Sequence, residues 1–365
     1  MDERNYYLGF ALVSGIGPKT FNLLLQHFKT AQKAWNSTSK DLKKAGLSDR
    51  LIQKLEKTRN ELDIDSYLQK MIQKKVSFIA RCDKEYPKFL SQIENPPIVL
   101  YVRGDISKID FEKTLGIVGT RKITNYGREV TELFSAKLAQ VGFTIVSGLA
   151  MGVDAVAAQS AIEAGGKTIA VLGNGVDLCF PSLNEKLYDK ILENNGIIVS
   201  EFPLGQSPTQ GSFPSRNRII AGLSLGVLVT EGAADSGSLI TADYAFKFKR
   251  KVFAIPGPIT SSLSVAPLKL IEKGAKLVTS AEDVLKELKI QKSKVKNSGQ
   301  KSKFVNLSRD ELKIIQILEN EALGFDEIVR KLNMSSAKVG SLLSVMEIKG
   351  LIKNSNSVFS IPASP

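Results

Sequence analysis

Several short stretches of this 365-residue chain combine arginine, glycine and hydroxyl residues in an order that suits a bound phosphate. The stretches at 213–218 and 236–241 flank one apolar run. Their candidate binding residues are Arg216, Asn217, Arg218, Ser236, Gly237, Ser238 and Thr241. Guanidinium groups form charge-assisted hydrogen bonds with phosphate oxygens, and small residues at a helix start leave backbone N–H groups free for an anion. The pattern therefore predicts a phosphate-binding site.

Two earlier turns repeat this chemistry directly after apolar runs. Their candidate residues are Gly119, Thr120, Arg121, Lys122, Ser147 and Gly148. Because the carboxyl ends of parallel strands meet at one edge of a sheet, we expect the four turns to converge there. Gly127 and the pair Gly165 and Gly166 are explained instead by close helix packing. Asp154 falls at a predicted helix start, where an N-terminal cap is its expected role.

The sequence lacks the common motifs for nucleotide cofactors, for zinc and for nucleophilic catalysis. The glycine spacing matches neither a dinucleotide-binding fingerprint nor a P-loop, so no cofactor is predicted. One histidine and two separated cysteines, Cys82 and Cys179, offer no zinc site and no histidine-based nucleophile. The acidic residues that remain as catalytic candidates are Asp154, Asp177, Glu201, Glu231, Asp235 and Asp243.

The elements that must position the four turns follow from the hydrophobic pattern. Six short apolar runs alternate with helical patterns between residues 114 and 257, which predicts βα units and a doubly wound, mostly parallel Rossmann-like sheet in a domain at 71–288. Proline-bounded strand patterns at 76–104 suit a sheet edge. The overall fold class is therefore α/β.

Smaller units are predicted at both ends. Residues 1–70 read as a helical domain in which Leu12–Lys19 resembles a helix-hairpin-helix turn, and a plain helical bundle with a glycine corner fits equally well. Residues 289–303 hold six lysines and no acid, as in a basic flexible linker. Residues 304–365 give three helices and a hairpin, the pattern of a winged helix whose recognition helix offers only Lys338 and Lys349 as basic residues.

Composition limits the partners and the cellular compartment that can be expected. The net charge of +13 favours a polyanionic partner without proving one. No apolar run reaches the roughly 18 residues of a membrane helix, and the acidic N-terminus has no signal-peptide pattern. We therefore expect a cytoplasmic protein with no membrane partner.

The motifs together resemble the DNA-processing protein A (DprA, also called Smf) family. The matching runs include Gly116–Arg121, Ser147–Asp154, Phe213–Arg218, Ser236–Thr241 and Pro256–Gly257. The chain departs from the family pattern at Ala158, where a histidine is usual, and at Ala266–Leu268. The resemblance implies a non-catalytic protein that binds single-stranded DNA, loads RecA recombinase in natural transformation or recombination, and dimerises through its Rossmann-like domain.

The resemblance also implies site roles. Arg121 and the cluster Arg216, Asn217 and Arg218 would grip the DNA backbone. The pocket would be shaped by Ser147, Gly148, Ser236, Gly237, Ser238 and Thr241. Two alternatives stay open: a nucleotide phosphoribohydrolase-like enzyme that uses the same strand ends, and a transcription regulator that reads duplex DNA through the winged helix.

Overall fold

The computed structural model describes residues 2–290, 308–318, 321–355 and 358–361. The chain divides into two compact units, Met1–Gln291 and Lys292–Pro365. The predicted linker at 289–303 lies outside the described residues from position 291 onward. Within the described ranges, no helix is both long and apolar enough to cross a membrane.

The first unit begins with six short helices, which confirms the helical N-terminal segment. They are α1 (Glu3–Leu12), α2 (Pro18–Phe28), α3 (Ala31–Trp35), α4 (Ser39–Lys44), α5 (Asp49–Glu61) and α6 (Ile64–Gln73). Phe10 lies between two aromatic neighbours, with ring centroids 5.2 Å from Phe21 and 5.1 Å from Trp35. The same apolar core continues into the sheet at Phe78 and Tyr101. These helices therefore pack on the sheet and do not form a separate core.

A nine-stranded sheet forms the body of the first unit. Its strands are β1 (Val76–Ala80), β2 (Val99–Arg103), β3 (Thr114–Val118), β4 (Thr144–Ser147), β5 (Lys167–Val171), β6 (Ile197–Ser200), β7 (Gly226–Val229), β8 (Lys251–Ala254) and β9 (Lys276–Leu277). The spatial order is β1-β2-β6-β5-β4-β3-β7-β8-β9, and all pairs from β6 to β9 are parallel. This confirms the Rossmann-like, mostly parallel sheet, with β1 and β2 added antiparallel at one edge.

Helices cover both faces of this sheet. They are α7 (Lys88–Ser91), α8 (Asn125–Gln140), α9 (Val153–Glu163), α10 (Glu185–Glu193), α11 (Ser212–Leu223), α12 (Gly237–Lys247), α13 (Val265–Glu272) and α14 (Ala281–Glu287). Every residue of β3 and β7 is buried, as expected for strands covered on both faces. The chain proceeds from β3 through β4, β5 and β6 in one direction, and from β7 through β8 in the other. The topological switch point therefore lies between β3 and β7.

The second unit is a small winged helix, as predicted. Its elements are α15 (Arg309–Leu318), β10 (Leu323–Gly324), α16 (Phe325–Leu332), α17 (Ser336–Ile348), β11 (Lys353–Ser355) and β12 (Val358–Ser360). The strands pair antiparallel in the order β10-β12-β11. Ile314, Ile328 and Val339, one from each helix, are fully buried together.

Candidate functional site

A cavity of about 540 Å³ opens at the topological switch point. We call it the switch cavity, and the candidate binding residues on its wall are Gly119, Thr120, Arg121, Arg216, Asn217, Ser236, Gly237, Ser238 and Thr241. They come from the turns after β3 and β7 and from α11. Open α/β sheets bind ligands at this crevice. The structure therefore brings nine of the thirteen predicted residues onto one surface.

The turn after β3 passes very close to the start of α9. Thr120 N–H donates to the Glu231 carbonyl at 2.8 Å, and Val153 N–H donates to the Thr120 carbonyl at 3.1 Å. Gly152 has φ +77°, and a Cβ there would lie 2.3 Å from the Thr120 carbonyl oxygen. Only glycine fits this approach, because both the conformation and the space exclude a side chain. The packing fixes the backbone from which Arg121 projects.

The buried carboxylate of Glu231 also holds the segment that follows β3. Glu231 accepts hydrogen bonds from Thr124 N–H at 3.0 Å and from Thr124 Oγ1 at 2.6 Å. A Cβ at Gly127 would lie 1.9 Å from Glu231 Oε2, so glycine is required there to admit the carboxylate. Glu231 is only 4% exposed and does not line the switch cavity. Glu231 therefore has a structural role, because it holds the loop that carries Arg121.

Arg121 is exposed at the mouth of the switch cavity. Its guanidinium carbon lies 5.6 Å from the centroid of the Phe213 ring, a cation–π distance. Phe213 in turn lies 5.8 Å from Phe180, whose side chain is 45% exposed. Sequence reasoning did not assign a role to either phenylalanine. Phe213, three residues before Arg216, carried a signal, because aromatic residues next to cations are typical of single-strand binding, whereas Phe180 has no arginine near it in the sequence.

Arg216 is buried beneath the cavity. The residue is 5% exposed, and its Nη1 donates to the Val171 carbonyl at 2.6 Å. Asp154 faces it and accepts hydrogen bonds from Gly148 N–H at 3.0 Å and Ala150 N–H at 3.4 Å. Burial raises the pKa of the Asp154 carboxyl and lowers the pKa of Arg216, while each charge opposes the shift of the other. The two charges therefore attract each other in the cavity floor, while the bonded partners of Asp154 are the two backbone N–H groups.

This geometry corrects the role predicted for Asp154. The N-cap of α9 is Gly152, and Asp154 lies inside the first turn of the helix. Its carboxylate binds N–H groups of the loop that precedes the helix, together with the Arg216 charge, and caps no N–H of α9. The sequence predicted the start of the helix correctly. It gave no sign that Arg216, on α11, would lie near the Asp154 carboxylate.

The run Arg216–Arg218 does not act as one cationic cluster, because it lies in α11. Residues two apart on a helix point about 200° from each other. Arg218 accordingly turns away from the switch cavity and forms an ion pair with Glu201, both groups being largely buried. Asn217 stays on the cavity wall, where its Nδ2 donates to the Gly237 carbonyl at 3.2 Å.

Three further predicted residues lie at different depths. Lys122 is exposed beside a neighbouring groove and does not line the switch cavity. Ser147 is buried, and its Oγ donates to the Ile117 carbonyl at 2.7 Å, which joins β4 to β3. Gly148 follows it and lies against Arg216. These last two residues shape the floor without facing the cavity.

The start of α12 forms another wall of the switch cavity. Ser236 is the N-cap, and its Oγ accepts from Ser238 N–H at 3.3 Å and lies 2.8 Å from Ser238 Oγ. Nothing lies within 4 Å of the Cβ direction at Gly237, so this backbone is open. An open helix N-terminus with two hydroxyls attracts an anion through its N–H groups and dipole.

The fold and this crevice define a Rossmann-like protein with a phosphate-suited strand-end site, followed by a winged helix. A family model for DNA recombination-mediator protein A matches residues 77–289, and a model for the DprA winged helix domain matches residues 304–355. The chain belongs to the DNA recombination-mediator protein A family.

Individual relatives agree with this assignment. Protein Smf of Synechocystis is 41% identical over 290 residues, which are 78% of this chain and 73% of that protein. The X-ray structure of DNA processing protein A from Streptococcus pneumoniae superposes with a TM-score of 0.69 at 35% identity, covering 79% of this chain and 99% of that one. DNA processing protein A from Helicobacter pylori, whose structure describes a single-stranded DNA binding mode, gives a TM-score of 0.53 at 31% identity, covering 59% and 95%.

Proposed function

We propose that this chain binds single-stranded DNA in the switch cavity and loads RecA recombinase onto it, without catalysing a reaction, in natural transformation or DNA recombination. The observation that carries the proposal is the exposed Arg121 guanidinium beside the Phe213 ring, at the mouth of a cavity that also holds the start of α12. A cation next to an aromatic ring suits a strand whose phosphates and bases are both accessible.

The shape of the site favours a single strand over a duplex. A concave cavity of about 540 Å³ has room for one nucleotide rather than for a double helix. Phe213 and the exposed Phe180 offer faces on which an unpaired base stacks, and such stacking is available only where bases are not paired. The single-stranded DNA binding of the Helicobacter pylori relative supports the same assignment.

The charged and polar residues of the site then have different proposed parts in binding. Arg121 contacts the strand directly, with Asn217 and the α12 start completing the phosphate surface. Arg216 contributes its positive charge from the cavity floor and supports the packing of that floor. Lys122 extends the positive surface beside Arg121. Arg218 is assigned no contact in the switch cavity, because it lies on the opposite side of α11.

The placement of the acidic candidates supports a binding role rather than hydrolysis. Five of the six carboxylates are already paired with other groups. These are Asp154 with backbone N–H groups and Arg216, Asp177 with Lys74, Glu201 with Arg218, Glu231 with Thr124, and Asp243 with Lys273. Asp235 is the remaining one, and it lies on the cavity wall. A phosphoribohydrolase mechanism would therefore depend on Asp235, and hydrolysis of a nucleoside monophosphate that is lost in Asp235→Asn would contradict the proposal.

The central experiment measures binding of a fluorescent oligothymidylate by anisotropy over a series of salt concentrations. Arg121→Ala is expected to weaken binding by about tenfold or more, because a charge-assisted phosphate bond is lost. The slope of log K against log salt should also fall by about 0.7, the value for one phosphate contact on a single strand. Lys137→Ala, which removes one exposed charge from α8 outside the cavity, is the matched control.

Equal affinities and slopes for the Arg121→Ala and Lys137→Ala variants would overturn the proposal. The recombinase step is tested separately, by following RecA filament formation on a strand in the presence of the wild-type chain and of Arg121→Ala. Sedimentation analysis of the free protein tests whether the chain forms the expected homodimer, and the same measurement on a variant that lacks residues 304–365 tests whether the rest of the chain is sufficient for it.

A further inference from the structure

A groove of about 650 Å³ adjoins the switch cavity in the first unit. It runs between α8 and α9, which are joined by a hydrogen bond from Ser135 Oγ to the Ala157 carbonyl at 2.6 Å. We call it the helix groove. Both helices begin at the carboxyl ends of the parallel strands β3 and β4, so the groove starts at the same sheet edge as the switch cavity.

The helix groove and the switch cavity meet at Arg121, which lines both of them. Gly152, the N-cap of α9, lies in the groove and fits against the Arg121 turn, since a Cβ there would be 2.7 Å from the Arg121 carbonyl oxygen. Ala150 lines the switch cavity, and the next residue, Met151, lines the groove. A ligand that contacts Arg121 is therefore at the entrance of both.

Positive charge is concentrated at this entrance. Arg121 and Lys122 precede α8, Arg128 lies near its start, and all three are exposed and line the groove. Arg128 is 3.7 Å from Glu132 in an exposed ion pair, which contributes little and leaves the guanidinium accessible. Neither Arg121 nor Lys122 has an ion pair within the described ranges. These cations are therefore available to an anion.

The carboxylates of the helix groove lie farther along the helices. Glu132 is one turn after Arg128, and Glu163 is the last residue of α9, where it accepts a hydrogen bond from Gln159. Helix α9 rises about 1.5 Å per residue, which places Glu163 about 16 Å along the axis from Gly152. A phosphate is therefore attracted to the start of the groove and repelled from its far end.

The entrance also offers an apolar contact. Met151 is 45% exposed although it lies next to the buried start of α9. Its thioether lines the groove together with Ile123 and Leu187. A flexible thioether packs well against aromatic rings, and a nucleobase presents such a ring. The entrance therefore combines cations for a phosphate with a surface for the nucleoside that it carries.

We infer that the helix groove holds the nucleotide next to the one in the switch cavity. The strand crosses from one to the other at Arg121, its next phosphate binds Lys122 and Arg128, and the attached nucleoside packs on Met151. Glu132 and Glu163 keep the strand from following the groove to its end. This inference rests on the proposed binding of single-stranded DNA in the switch cavity, and it adds Arg128 and Met151 to the path of the strand.

The first test removes the two groove cations that the switch cavity does not share. The double variant Lys122→Ala/Arg128→Ala should bind a fluorescent oligothymidylate about tenfold more weakly than wild type, because two exposed cations no longer attract the phosphate. The slope of log K against log salt should fall by about 0.7, the value for one phosphate. Lys137→Ala/Lys190→Ala removes the same charge at exposed positions outside both cavities and is the matched control.

The second test seeks a gain in affinity. Glu132→Gln should tighten binding of the same oligothymidylate by about twofold or more, because it removes a repelling charge and releases Arg128 from its ion pair. Glu129→Gln makes the same change at an exposed position of α8 outside the groove and should leave binding unchanged. Tighter binding by Glu132→Gln alone cannot result from a damaged fold.

Methyl NMR locates the strand independently of affinity. The chain has five methionines, and Met151→Leu assigns the Met151 signal in protein labelled with ¹³C-methyl methionine. A saturating oligothymidylate should shift this signal in wild type and shift it less in Lys122→Ala/Arg128→Ala. The inference is overturned, and the proposed function stands, if Arg121→Ala weakens binding while the groove variant equals its control, or if the Met151 signal does not move. Unchanged binding by Arg121→Ala would overturn both.

Discussion

The guanidinium of Arg216 lies directly against the backbone of Gly148. A Cβ built at Gly148 would be only 1.8 Å from Nη1, so the turn after β4 and the buried arginine of α11 fit together only through a glycine. The contact joins two distant parts of the sequence at the floor of the switch cavity. It gives a first test of whether that floor is rigid.

Gly148→Ala should destabilise the fold by about 1–3 kcal/mol, because the methyl group must displace Arg216 from a packed position. The free energy of unfolding in urea measures this effect. Gly237→Ala is the matched control, since nothing lies within 4 Å of its Cβ direction. A change within about 0.5 kcal/mol is expected for the control. Equal free energies of unfolding for the two variants would show that the cavity floor accommodates the added methyl group without destabilisation.

Arg216→Ala should lower the free energy of unfolding by about 2–5 kcal/mol, because it leaves a void in the packed floor, removes the hydrogen bond to the Val171 carbonyl and takes away the positive charge near Asp154. Arg121→Ala should leave the unfolding free energy nearly unchanged, because its side chain is exposed. Urea unfolding of both variants compares them directly. An Arg216→Ala variant with wild-type stability would mean that this buried guanidinium does not support the fold.

Deleting residues 304–365 should leave duplex DNA binding unchanged in a band-shift assay. This segment has seven Lys and Arg residues and seven Asp and Glu residues, so it carries no basic excess. Both basic residues of the predicted recognition helix are also paired, Lys338 with Asp310 at 2.5 Å and Lys349 with Glu311 at 2.8 Å. Sequence-selective duplex binding that disappears with the deletion would instead favour a transcription regulator.

The capping box of α14 should give an acid-dependent contribution to stability. Hydrogen bonds from Thr279 N–H and from Ser280 hold the pKa of Asp283 below its ordinary value. The unfolded carboxyl, with the higher pKa, takes up its proton first as the pH falls. The stabilisation is therefore complete above the unfolded pKa and is lost as the pH falls through the folded pKa.

Asp283→Ala should accordingly be less stable than wild type at neutral pH, and the difference should vanish in acid. Urea unfolding at a series of pH values measures it. Glu282→Ala, which changes an acidic neighbour in the same turn, should show no comparable pH dependence. A constant difference between Asp283→Ala and wild type at every pH would contradict the assignment.

Local patterns predicted most of the fold. The six apolar runs between residues 114 and 257 are the strands β3 to β8, because short apolar runs that alternate with helical patterns are typical of a parallel sheet covered on both faces. The convergence of Arg121 with the Ser236–Thr241 turn also followed, since strand ends of a doubly wound sheet meet at its switch point. The short β9 and the burial of Glu231 had no such local signal.

Side-chain direction and long-range contact were decided only by the tertiary structure. Arg216 and Arg218 are two residues apart and chemically identical, yet the helical turn of α11 sends one beneath the switch cavity and the other towards Glu201. Asp154 is buried near the charge of Arg216 and bonds two backbone N–H groups, because burial makes an uncompensated charge unfavourable, and this arginine lies on a different element. The sequence alone thus determined which residues gather at the sheet edge, and the packing of α11 determined which of their charges remain available to a ligand.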